Sequence, residues 1–227
     1  MRLFDLSQPL TDDGPNCPAH PPVRLRRMAD HPADGWRLEQ FDMASHTGTH
    51  LDAPLHKLAG GMAIDAFPLD AFVGPVRVAD LAPLAEGQAI GAADLRRALG
   101  DDPLDGRIVL LHTGWGAKRA KTPEWLLRSP YLAPEGAAWL VARGAKGIGI
   151  DHFSLGGMGE PDNARTHEIV LGAGLWIVED LYFREGWREA LARPGAWFQA
   201  FPLLLPGFSG SPCRALLFHP TASSSIP

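Results

Sequence analysis

The twelve residues Ser45–His56, S-H-T-G-T-H-L-D-A-P-L-H, constrain this chain more than any other stretch. They contain His46, His50, Asp52 and His56, four groups able to bind a metal or carry a proton. A helix does not suit them. Thr47, Gly48 and Thr49 are poor helix formers, and Pro54 pushes Ala53 out of the helical region. An extended path fits better, because His46, Gly48, His50, Asp52 and His56 share one parity and so one side of a strand. A straight strand would hold His46 and His50 about 13 Å apart, at roughly 3.3 Å per residue. Ligand atoms on one ion, with bonds of about 2.0–2.2 Å, lie within about 4 Å of each other. The chain must therefore bend between the two histidines, and Gly48 is the residue that permits a bend. The reading is a metal site of two imidazoles and a carboxylate, with His56 close by.

The elements around this stretch are short. Twenty-one prolines and 25 glycines point to many turns. Strands are expected at Leu3–Leu6, Val23–Met28 (half-buried), Trp36–Met43, Val76–Leu81, Arg107–His112, Lys146–Ile150, Leu175–Val178, Ala200–Leu205 and Arg214–His219. Pro202 makes the eighth of these an edge strand at best. Helices are expected at Gly91–Leu99, Pro123–Leu127, Ala133–Arg143 and Ala164–Leu171, the last capped by Asn163. Gly144, Gly147 and Gly149 spell G-x-x-G-x-G, but after a helix and before a strand, the reverse of a phosphate-binding loop. They read as a helix stop and a tight turn. The tail Ala222–Pro227 reads as frayed or draped on a neighbour. With no repeat, linker or composition break, residues 1–227 read as one domain. Strands outnumber helices, so the expectation is α/β with a mixed sheet, not a doubly wound parallel one.

A catalytic metal site needs ligands from more than one segment. His167, in the helix after the 152–163 loop, and Glu179, ending the next strand, are the leading candidates, followed by Asp151 and His152.

H-T-G-T-H-L-D-A-P-L-H resembles the signature H-x-G-T-H-x-D-x-P-x-H of the cyclase-like metal-dependent hydrolases, a family that includes bacterial kynurenine formamidase (arylformamidase) and isatin hydrolase. Supporting matches are D-L-S-Q-P-L at Asp5–Leu10, L-L-H-T-G-W at Leu110–Trp115, G-I-D at Gly149–Asp151, and T-H-E-I-V-L at Thr166–Leu171 leading to I-V-E-D-L at Ile177–Leu181. The resemblance implies a swivelling β/β/α fold in dimers or larger assemblies. It implies that His46, His50 and Asp52 bind a first metal. In two-metal members Asp52 bridges, His167 holds the second ion and Glu179 touches both. His56 would give and take the proton. The family's formamidases carry a substrate-contacting Trp before Pro-Gly; the matching segment here is Asn16-Cys17-Pro18-Ala19, so Cys17 replaces that ring. Cys17 and Phe153 are then expected to meet the substrate, with Trp36 and Met158 as further candidate walls.

The expected chemistry is hydrolysis of an amide, lactam or ester of a small molecule by metal-activated water. The mixed nitrogen and oxygen donors suit zinc, which is preferred, and manganese. A serine hydrolase is a poor rival: Gly207-Phe208-Ser209-Gly210-Ser211 ends in Ser where G-x-S-x-G needs Gly. A rival of another class is a non-catalytic metal- or small-ligand-binding protein on the same fold. A closed structural site would favour four ligands, usually with cysteine, and neither Cys17 nor Cys213 is near the box in sequence. A net charge of −5 without a basic run argues against nucleic acid. No stretch reaches the about 20 apolar residues of a membrane span. Two cysteines and no signal-like N-terminus make the cytoplasm the expected compartment.

Overall fold

A computed structural model describes residues 2–192 and 194–220. The expectation for Ala222–Pro227 lies outside them. The strands are β1 (Leu3–Asp5), β2 (Arg24–Ala29), β3 (Leu38–Asp42), β4 (His50–Asp52), β5 (Val73–Asp80), β6 (Ala89–Ile90), β7 (Ile108–His112), β8 (Tyr131–Leu132), β9 (Gly147–Ile150), β10 (Trp176–Glu179), β11 (Trp197–Pro202) and β12 (Gly210–Phe218). The helices are α1 (Ala92–Leu99), α2 (Pro123–Leu127), α3 (Pro134–Ala142) and α4 (Asp162–Gly172). Among the described residues no helix is long and apolar enough to cross a membrane.

The main sheet closes on itself. Its order is β1-β12-β11-β5-β7-β9-β10-β4, and β4 also pairs with β12. The run β5-β7-β9-β10 is parallel. The pairs β10–β4, β4–β12, β12–β11 and β11–β5 are antiparallel. Parallel neighbours need crossover connections, and α1, α3 and α4 lie within the crossovers to β7, β9 and β10. This is the mixed α/β fold expected from the sequence.

Strand alternation divides the apolar residues between two cores. In β7, Ile108 and Leu110 join Leu51, Val76, Val178, Phe198 and Leu217 in one cluster. Val109 and Leu111 point the other way, to Leu95, Leu140, Val170 and Leu171 of the helices. A strand buried on both faces has no polar positions to spare, which is why β7 reads I-V-L-L before its final histidine. The same alternation sets the site. Leu51 and Val178 face the first core, so His50 and Asp52 on β4, and Glu179 on β10, turn to the side where α4 packs.

Several expectations change. β2 is exposed almost throughout, not half-buried, and so is β3, with which it forms a hairpin. Period-2 alternation signals an apolar face, but does not say which surface covers it. β11 is interior, between β12 and β5. Pro202 is tolerated because β5 pairs only with residues 197–199, leaving Pro202 a single neighbour, Cys213. α4 begins at Asp162 with Pro161 in the capping position, so Asn163 lies inside the first turn and is not the cap. Gly144 does end α3, with φ +83°, whereas Gly147 and Gly149 lie inside β9 against Trp176 and Val178. β5 starts at Val73 and β12 at Gly210, each earlier than the sequence suggested.

Candidate metal centre

The bend expected at Gly48 is present. Its φ is +64°, a left-handed conformation that costs glycine little. It brings the His46 and His50 rings to 5.3 Å, centroid to centroid. His50 and Asp52 are then held in β4, paired with Glu179 and Ile177 of β10. α4 supplies His167 from the helix side.

These side chains converge. His46 Nδ1 is 2.6 Å from Asp52 Oδ1, and His50 Nε2 is 3.3 Å from the same oxygen and 3.6 Å from Glu179 Oε2. His167 Nε2 is 3.3 Å from Glu179 Oε1 and 4.0 Å from Asp52 Oδ2. Two overlapping donor sets result, His46–His50–Asp52 and Asp52–His167–Glu179, each with its donor atoms within 4.8 Å of one another. Asp52 belongs to both. Its Oδ2 is buried without a hydrogen-bond partner, although a buried carboxylate oxygen normally has one. An orphaned anionic oxygen among imidazole nitrogens is what a cation would satisfy.

The electrostatics fit that reading. Burial opposes the Asp52 charge, but hydrogen bonds from His46 and His50 hold its carboxyl well below the usual range. Burial and the nearby Asp52 charge push Glu179 up. Burial would lower His50 and His167, yet their carboxylate partners outweigh it and raise both to about 9.

His56 stands apart chemically. It ends a 3-10 turn, Pro54–His56, with its ring 3.9 Å from that of His46 and 6.1 Å from that of His167. Desolvation of its inner side pulls this imidazole down to about 4; Asp52 acts against that, and His46, His167 and His50 add to it.

Phe153 forms a small cluster with Trp115 and Trp125, and Cys17, Leu126 and Met158 pack against that cluster. Burial raises the Cys17 thiol, and the Glu179 charge adds to this. Trp36, by contrast, is 75 % exposed and far from being a wall. Asp151 and His152 do not join the donor sets. Asp151 accepts from Thr113 N, Thr113 Oγ1 and Gly114 N at 3.0, 2.6 and 2.9 Å, fixing the turn after β7. His152 is buried against Trp125, with Nε2 2.9 Å from its carbonyl.

Sequence reasoning missed three participants. His20 Nδ1 donates to the His46 carbonyl at 3.0 Å and lines a 190 Å³ cleft with Cys17 and Lys121. Arg119 donates to buried Asp180 at 2.9 Å and to the Pro15 carbonyl at 2.7 Å, tying the loop that carries Cys17 to the residue after Glu179. Ser209 Oγ lies 2.9 Å from His46 Nε2. His20 and Arg119 are isolated polar residues without a spacing pattern, and Ser209 drew notice only as part of a failed nucleophile motif, so nothing in the sequence tied any of them to the histidine box.

A buried cluster of imidazoles and carboxylates beside a free histidine, set between a closed mixed sheet and its helices, defines a metal-dependent hydrolase. A family model described as a putative cyclase matches residues 4–156. The chain is 31% identical over 221 residues to kynurenine formamidase of Bordetella avium (strain 197N), covering 95% of this chain and 97% of that one. Its fold superposes on isatin hydrolase A from Ralstonia solanacearum with a TM-score of 0.81 and 26% identity, covering 95% and 91% of the two chains. A potential metal-dependent hydrolase with cyclase activity gives a TM-score of 0.74 at 26% identity, covering 97% and 99%. The chain belongs to the cyclase family.

Proposed function

We propose that this enzyme hydrolyses a carbon–nitrogen amide bond, a formamide or lactam, or a related ester, in a small molecule. The observation that carries the reading is the pair of donor sets sharing Asp52, with the orphaned Oδ2 between them. In this reading His46, His50 and Asp52 hold a divalent ion, and His167 and Glu179, with Asp52, hold a second where two are taken up. Zinc is preferred, and manganese also suits mixed nitrogen and oxygen donors. Bound there, a divalent ion supplies Lewis acidity and lowers the pKa of water from about 15.7 to about 7.

His56 is the proton carrier. Its ring is neutral near pH 7, the form that accepts a proton, and an imidazole beside the donor sets can pass that proton to the leaving nitrogen. Cys17, Phe153 and His20 line the substrate side. Cys17 in place of a flat aromatic ring favours substrates other than the kynurenine type. The relatives named kynurenine formamidase and isatin hydrolase A support this bond class.

The same reading makes residues 1–227 one catalytic domain working in the cytoplasm as a homodimer or larger homo-oligomer. The exposed β2–β3 hairpin supports assembly, since an isolated two-stranded ribbon is marginal in water and Met28, Leu38 and Phe41 are 56 %, 58 % and 62 % exposed. The functional test is a hydrolysis screen of N-formylkynurenine, isatin, formanilides and simple lactones with zinc or manganese added. Turnover of a formamide or lactam supports the proposal; turnover of lactones alone, or of none, removes the amide assignment.

A further inference from the structure

The three candidate ligand imidazoles are not oriented alike. His50 Nδ1 lies 2.8 Å from the Gly48 carbonyl, and His167 Nδ1 lies 2.8 Å from the Asn163 carbonyl. A carbonyl only accepts, so both rings keep a proton on Nδ1 and turn Nε2 to the carboxylates. His46 is reversed. Its Nδ1 faces Asp52 Oδ1 at 2.6 Å, and its Nε2 faces Ser209 Oγ at 2.9 Å.

We propose that Ser209 is the positioning residue of His46, its hydroxyl accepting the Nε2 proton when Nδ1 is the nitrogen offered to the ion. This rests on His46 being a ligand, as proposed above. To offer the Nδ1 lone pair, the ring must carry its proton on Nε2, and that N–H needs an acceptor. Metal-bound histidines generally donate their other N–H to such a partner, which fixes tautomer and ring angle. A serine hydroxyl both donates and accepts. It can therefore hold the ring with the proton on Nδ1, facing Asp52, and with the proton on Nε2, facing Ser209. A backbone carbonyl could serve only the second state.

The position of Ser209 is set by the barrel closure. Ala53 N donates to the Ser209 carbonyl at 2.8 Å, and the next two residues, Gly210 and Ser211, pair with Asp52 and Leu51 of β4. Gly210 supplies an independent sign that the ring is held from this side. A Cβ there would overlap His46 Cε1 and crowd the Leu51 carbonyl, so only glycine lets the strand pass so close to the imidazole. The segment Gly207–Ser211, which fails as a nucleophile motif, acquires a role: it clamps the first histidine of the box from a point 163 residues away.

The test is the zinc affinity of ion-free protein, measured by competition with a chromophoric chelator, for the parent, Ser209→Ala, Ser209→Thr and His46→Ala. Circular dichroism checks each fold. Loss of the partner should weaken binding about 10–100-fold in Ser209→Ala, with Ser209→Thr close to the parent. If Ser209→Ala binds zinc as tightly as the parent while His46→Ala does not, the proposal is overturned and His46 remains a ligand. If His46→Ala also binds as the parent does, the ligand reading itself fails. Equal weakening in the Ala and Thr variants removes the hydroxyl from the explanation. Nitrogen-15 spectra of the zinc-loaded parent decide the matter should Ser209→Ala not fold: the proposal requires the His46 proton on Nε2, and a proton on Nδ1 contradicts it.

Discussion

His50 of β4 and Glu179 of β10 are direct cross-strand partners in the antiparallel ladder, and His50 Nε2 reaches Glu179 Oε2 at 3.6 Å. Barrel closure, and no sequence motif, brings the first donor set against the second. A slip of one residue in this register would turn one of the two side chains to the other face of the sheet and part them. His50, Asp52 and Glu179 are therefore fixed by the strand order, with His46 brought in by the bend at Gly48 and His167 by α4.

The proposed proton carrier should separate from the proposed ligands on substitution. His56→Ala should retain bound metal while kcat for the best substrate of the screen falls about 10²–10⁴-fold. Elemental analysis together with steady-state kinetics checks this. Loss of the ion in step with activity would instead make His56 a ligand.

Ion uptake should release protons. Without an ion, His50 and His167 are raised to about 9, because the carboxylates outweigh burial. Both are then protonated at pH 7 and must lose those protons to coordinate. Apparent zinc affinity should rise with pH from 6 towards 9, and calorimetry in buffers of different ionisation enthalpy should count proton release. Binding that does not vary with pH would contradict the arrangement.

His152 should make the fold acid-sensitive. Burial lowers its imidazole from 6.5 to about 4. The unfolded chain therefore binds a proton more readily, and the stability held above pH 6.5 is lost as pH falls towards 4. The cost between pH 7.5 and 4.5 is about 2–3 kcal/mol, at about 1.36 kcal/mol per unit. Urea unfolding at the two pH values should show His152→Gln losing less stability than the parent by that amount.

The β2–β3 hairpin should govern assembly. Replacing Trp36 and Phe41 by serine alters side chains that are 75 % and 62 % exposed, so the protomer itself should change by no more than about 0.5 kcal/mol. Light scattering should report a smaller particle for the double variant than for the parent. An unchanged mass would place the subunit contact elsewhere.

The sequence carried the local part of this centre. The parity of the box, the bend at Gly48 and the twelve-residue step from His167 to Glu179 were all readable, because each is a spacing within one element or between neighbours. What was hidden depends on which strands meet. The His50–Glu179 register, the Ser209 contact and the His20 hydrogen bond join segments with no shared period. β2 misled for a different reason: the alternation of Val23 and Leu25 with Arg24 and Arg26 looks the same whether the barrel or another surface covers it. Pro202 misled because an interior strand can still have an end with one neighbour.

The central claim is that the His46–His50–Asp52 and Asp52–His167–Glu179 sets hold the ion on which amide hydrolysis depends. The direct measurement is the rate of formamide or lactam cleavage by chelator-stripped protein, before and after zinc or manganese is restored, with bound metal counted in each sample. The account predicts no turnover in the stripped protein and recovery in proportion to the metal regained. Undiminished turnover by protein shown to be free of metal would contradict it.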